Sequence, residues 1–109
     1  MRTYKQISAD ISAAQGIHDV AALNRLAAEI QELGTPEALA RGATALGTAC
    51  RVTGNFSGAL KNLTLAQKIR LEMGDQLGAA DIKGSMANVY NDMGDYPRTL
   101  EHYGQAPLN

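Results

Sequence analysis

The chain has no tryptophan, a single cysteine and only 5% aromatic residues. Val, Ile and Thr are scattered, and no long stretch alternates apolar with polar residues, so a sheet core lacks its usual material. The lone Cys50 excludes an internal disulfide and fits a reducing compartment. Basic residues form no run and the net charge is −1. Nucleic-acid binding leaves a concentrated basic footprint, so this balance argues against a nucleic-acid partner. No segment approaches the roughly 18–20 apolar residues that cross a bilayer. The first residues also lack the apolar stretch of a signal peptide. These absences together predict a cytoplasmic protein with no membrane partner.

What is present is Ala, the commonest residue, with Leu and Met, inside a hydrophobic share of 45%. Small and flexible side chains suit helices that approach closely. A length of 109 residues fits one domain, 1–109.

An internal repeat organises that domain. Gly54-Asn55-Phe56 and Gly94-Asp95-Tyr96 lie in like surroundings, 40 residues apart (94 − 54). The same offset carries Leu46 onto Met86, Leu60 onto Leu100, Leu63 onto Tyr103 and Ala66 onto Ala106. It also carries Leu33-Gly34-Thr35 onto Met73-Gly74-Asp75, and Val20, Leu23 and Leu26 onto Leu60, Leu63 and Ala66. Each unit therefore reads helix, glycine turn, helix, glycine turn, with units at about 1–34, 35–74 and 75–109.

Between the turns, apolar residues recur at spacings of three and four, as in Val20, Leu23, Leu26, Ala27, Ile30 and Leu33, or Leu60, Leu63, Ala66, Ile69 and Met73. Glycine closes a helix in the left-handed conformation at least cost. Thr35, Asn55, Asp75 and Asp95 are placed to cap the helices that follow, and Pro36 and Glu37 suit a first turn. The predicted helices are 2–14, 17–33, 36–53, 56–73, 76–93 and 96–106. Joined by two-residue turns, they form an all-α fold of about six antiparallel helices, paired as three stacked hairpins.

The segment from Ala87 and Asn88 through Tyr90, Gly94-Asp95-Tyr96, Leu100, Tyr103 and Ala106 resembles a tetratricopeptide repeat. Leu46, Gly47, Cys50, Gly54-Asn55-Phe56, Ala59, Leu60, Leu63 and Ala66 repeat the pattern. Thr99 and Cys50 depart from it, standing where the family has Ala and an aromatic residue. The family's common period is about 34 residues. The longer period here is similar to the repeats of kinesin light chains, of regulators of G-protein subunits and of bacterial signalling proteins. The resemblance implies a right-handed superhelix whose first helices line a concave groove for a protein or peptide. By register it places Arg41, Thr44, Thr48 and Arg51 of the second unit in that groove. Asp81, Gly84, Asn88, Asn91 and Asp92 follow in the third. Asn88 stands where the family holds a peptide backbone, which an amide serves as donor and acceptor at once.

No nucleophile–base pair, phosphate loop or metal-ligand spacing occurs, so neither catalysis, a cofactor nor a metal is expected. His18 and His102 have no Cys or His three or four residues away and read as surface residues. Leu100, Tyr103 and Ala106 give the last predicted helix an apolar face. That face predicts cover by a second copy of the chain or by sequence beyond residue 109. The alternative to a free-standing scaffold is a regulatory or sensory segment of a longer signalling protein.

Overall fold

A computed structural model of the chain describes residues 1–95 and 97–99. These residues are helical between short turns, with no strand among them. The protein is all-α. In order come α1 (Tyr4–Gly16), α2 (Val20–Gln31), α3 (Pro36–Val52), α4 (Phe56–Glu72) and α5 (Gln76–Asp92). Residues 97–99 are helical as well, and the rest of the helix predicted over 96–106 lies outside the described residues.

Every junction after the one between α1 and α2 uses one device. Gly34, Gly54, Gly74 and Gly94 all have φ between 75° and 83°, the left-handed region that admits glycine freely. The next residue then turns back and caps the following helix. The Asn55 N–H donates to Cys50 O at 2.8 Å, the Asp75 N–H to Arg70 O at 2.9 Å and the Asp95 N–H to Tyr90 O at 2.8 Å. Such bonds satisfy carbonyls that a helix end leaves open. The same residues accept from the backbone three positions on, Asn55 Oδ1 from Gly58 at 3.0 Å and Asp75 Oδ1 from Gly78 at 2.9 Å. One residue thus closes one helix and opens the next, which leaves antiparallel neighbours as the only packing.

The first turn departs from expectation. Its predicted place was at Gly16, but α1 continues through Gly16 and His18 takes the left-handed conformation with φ 54°. Asp19 decides this. Its N–H donates to Ala14 O at 3.0 Å and its carboxylate caps α2 through Ala22 N–H at 3.1 Å. With Thr3 and Thr35 the caps lie at 3, 19 and 35, spaced by 16 (19 − 3, 35 − 19), and then at 55, 75 and 95, spaced by 20 (55 − 35, 75 − 55, 95 − 75). The first hairpin is close to one turn shorter in each arm, with helices of 13 and 12 residues against 17 in α3 and α4.

Two apolar clusters fill the interior. Ile7, Ile11, Leu23, Leu26 and Ile30 form the first with Ala38, Ala45 and Ala49 of α3. Leu63, Ala66, Ile82, Met86 and Val89 form the second with Ala43 and Ala59, and Cys50 packs against it as a small core residue. Fully burying a side chain such as Ile7 or Leu63 contributes about 1.5–3 kcal/mol. Met73, expected on an apolar face, instead follows the last residue of α4 and remains 42% exposed.

Consecutive helices pack along their lengths, and α3 also touches α1 and α5. No such contact joins α2 to α4. The helices α1, α3 and α5 therefore form an inner layer and α2 and α4 an outer one, in a body of 52 × 31 × 20 Å.

Candidate functional site

The inner layer presents one polar strip, supplied by residues spaced three and four along each helix. From α3 come Arg41, Thr44, Thr48 and Arg51, and from α5 come Asp81, Ser85 and Asn88. The structure brings these residues, all but Ser85 predicted, together in two clefts. A cleft of about 220 Å³ is lined by Thr48, Arg51, Ser85 and Asn88, with Gly47 and Leu63 among its further walls. A second, of about 340 Å³, is lined by Arg41, Thr44 and Asp81, with Tyr4 and Arg70 beside them. Asn91 and Asp92 are exposed at the far end of α5, and Gly84 is half-buried one turn before Asn88.

Several of these groups already have partners. Arg51 Nη1 donates to Asp92 Oδ2 at 2.9 Å, so two predicted contact residues pair with each other across α3 and α5. Arg41 is tied to α1. Its Nε donates to Ser8 Oγ at 3.0 Å, and its Nη2 to Ser12 Oγ at 2.8 Å and to the Ser8 carbonyl at 3.3 Å. Gln15 Oε1 accepts from Nη1 and Nη2 at 3.4 Å. Burial pushes the Arg41 guanidinium below its usual pKa; Tyr4 opposes this and Arg70 adds to it. Gln15 Nε2 also donates to Thr48 Oγ1 at 3.1 Å. A polar latch of Ser8, Ser12 and Gln15 therefore fastens α1 to α3 along the strip.

The two threonine hydroxyls turn their hydrogens inward. Thr44 Oγ1 donates to Ala40 O at 2.9 Å and Thr48 Oγ1 to Thr44 O at 3.2 Å. The Thr48 oxygen accepts from Gln15, while the Thr44 oxygen keeps its acceptor capacity in the second cleft. Asn88 is exposed and able both to donate and to accept.

Sequence reasoning missed the α1 contribution, together with Ser85 and Arg70. Setting Asp19 against Asn55, an offset of 36 (55 − 19), places Ser8, Ser12 and Gln15 on Thr44, Thr48 and Arg51. The signal was present, hidden by taking Gly16 as the turn. His18 is exposed as expected, while His102 lies outside the described residues. Among the described residues, no three or more His, Cys, Asp and Glu side chains gather as a metal site, and no helix is long and apolar enough to cross a membrane.

When the chain is compared with family models, curated proteins and solved structures, none of them matches.

Proposed function

We propose that the chain is a non-catalytic interaction scaffold of the tetratricopeptide type, working in the cytoplasm and holding an extended segment of a partner protein on its concave face. The observation that carries this reading is the layering. Among the described helices only α1, α3 and α5 touch beyond their chain neighbours, which sets the polar residues of all three along one side of the stack. Main-chain groups of a peptide match the acceptor at Thr44 and the exposed amide of Asn88. Strand-like peptides gain affinity from such bonds and specificity from side-chain pockets.

The test is recovery of partners from the native cell on immobilised full chain, comparing the natural sequence with Arg51→Glu and Asn88→Ala together. Recovery is expected to fall sharply, because Arg51→Glu sets a second carboxylate beside Asp92 and Asn88→Ala removes the amide. Both side chains are at least partly exposed, so unfolding of the variant is not expected. Unchanged recovery removes the concave face from the proposal.

A second reading is a regulatory segment of a longer signalling protein, or a chain that pairs with its own copy. It draws on apolar side chains at the α4–α5 end, where Leu71 is 57% and Leu77 83% exposed. Strictly monomeric light scattering with no binding of an apolar dye counts against both forms.

A further inference from the structure

The geometry points to an oxyanion-binding site between Arg41 and Arg70, in the cleft where α3, α4 and α5 meet the start of α1, taking a carboxylate or phosphoryl group. The cleft of about 340 Å³ is lined by Tyr4, Arg41, Thr44, Arg70 and Asp81 among others. Two guanidinium groups from different helices converge there. Like charges brought into one cleft repel unless an anion lies between them.

Their present partners do not supply that anion for Arg41. Its bonds run to neutral oxygens of Ser8, Ser12 and Gln15, and no carboxylate among the described residues forms an ion pair with it. Arg70 is paired only through Nη1, to Asp75 Oδ2 at 3.2 Å, although its side chain is just 12% exposed. The other oxygen of Asp75, Oδ1, is directed to the cap of α5 through Gly78 N–H at 2.9 Å. Asp81 is exposed at the rim, where water screens it more than it screens the two arginines. The field inside is left to Arg41, and the remaining guanidinium donors of Arg70 suit the forked recognition of an oxyanion. Tyr4 adds a hydroxyl, which supplies a further donor for such a group.

Arg41 was expected beside Arg51 in a peptide groove. Its guanidinium neighbour in a cleft is Arg70 instead, from the outer helix layer, a pairing that only the fold reveals. The site stands whether or not the concave face holds a peptide, because the ion alone tests it.

The experiment is titration of the isotope-labelled full chain with sodium phosphate, and separately with sodium acetate, followed by amide NMR. Sodium chloride holds the ionic strength constant. Saturable shifts are expected at Thr44, Gly78 and Ile82 with α2 unmoved. Arg70→Gln should weaken the binding about tenfold or more, while Asp81→Asn should tighten it. Arg41→Gln should also abolish binding, but it loosens α1 as well, so Arg70→Gln carries the test; Asp75 still caps α5 in that variant. A response to phosphate alone assigns a phosphoryl group, and an equal or stronger response to acetate assigns a carboxylate. No saturable shift with either ion, or the same shifts in Arg70→Gln, overturns the site.

Discussion

At the scale of single residues, two positions show the fold working against ordinary preference. His18 occupies the left-handed region with φ 54°, where the four later turns have glycine. A side chain there costs roughly 1–2 kcal/mol, and glycine's greater unfolded entropy returns about half of that. His18→Gly should therefore raise stability by about 0.5–1 kcal/mol, read as a higher urea midpoint with an unchanged slope. Gly47 presents the opposite case. A Cβ there would stand 2.8 Å from Leu63 Cγ and 2.9 Å from its Cδ2, and Leu63 is 2% exposed with little room to move. Overpacking costs about 1–3 kcal/mol against about 1 kcal/mol of helix propensity gained. Gly47→Ala should lower the urea midpoint, and a rise would show that α3 and α4 approach less closely than described.

His18 also marks where the sequence stopped being legible. Gly34, Gly54, Gly74 and Gly94 each precede a capping side chain, and that pair is a local signal, so those turns were readable. His18 carries no such mark, and the turn was misplaced by two residues from Gly16. Thr48, Arg51 and Asn88 were readable as neighbours because the repeat places them on one face. The Arg51–Asp92 pair and the Arg41 latch were not, because each depends on the distance between helices that spacing along one chain leaves open. Met73 kept the apolar spacing yet fell one step past a helix end, where the backbone turns away from the core.

At the scale of helices, the first hairpin is held at its open side by charge. Arg2 donates from Nε to Glu29 Oε2 at 2.9 Å and from Nη2 to Glu29 Oε1 at 2.5 Å, and it also pairs with Asp10. One residue before α1 thereby ties α1 to α2. The bond from Arg2, with its charge, holds the Glu29 carboxyl below the usual 4.5, partly opposed by loss of water around it. A carboxyl with a depressed folded pKa adds stability that is fully present above its unfolded pKa. That contribution is lost as pH falls through the folded value. Urea midpoints should therefore drop below about pH 4.5 in the natural chain, and Glu29→Gln should flatten part of that drop. An identical acid profile in the variant would assign the pair no role in stability. The group faces solvent, so added salt should shrink the effect as well.

Across the whole molecule, α3 is the described helix that touches all four others. Stability in a stacked array is a sum of each unit's own and its interfaces, so the element with most interfaces opens last. Hydrogen exchange should be slowest in α3, intermediate in α2 and α4, and fastest toward the ends of α1 and α5. Uniform protection across all five would mean that the stack unfolds in one step. The strip's fixed half, Thr44, Thr48 and Arg51, belongs to the slowest helix, and Asn88 to one that opens more readily.

The shortened first hairpin sets how this architecture can grow. A difference of four residues is about one turn, or roughly 6 Å of helix, and it leaves both buried faces pointing as they do in the longer hairpin. Length in this design is thus quantised by the pitch, not by the residue. Lengthening both arms together by a turn preserves the interior, whereas adding one residue to either arm rotates its apolar edge by about 100° and exposes it.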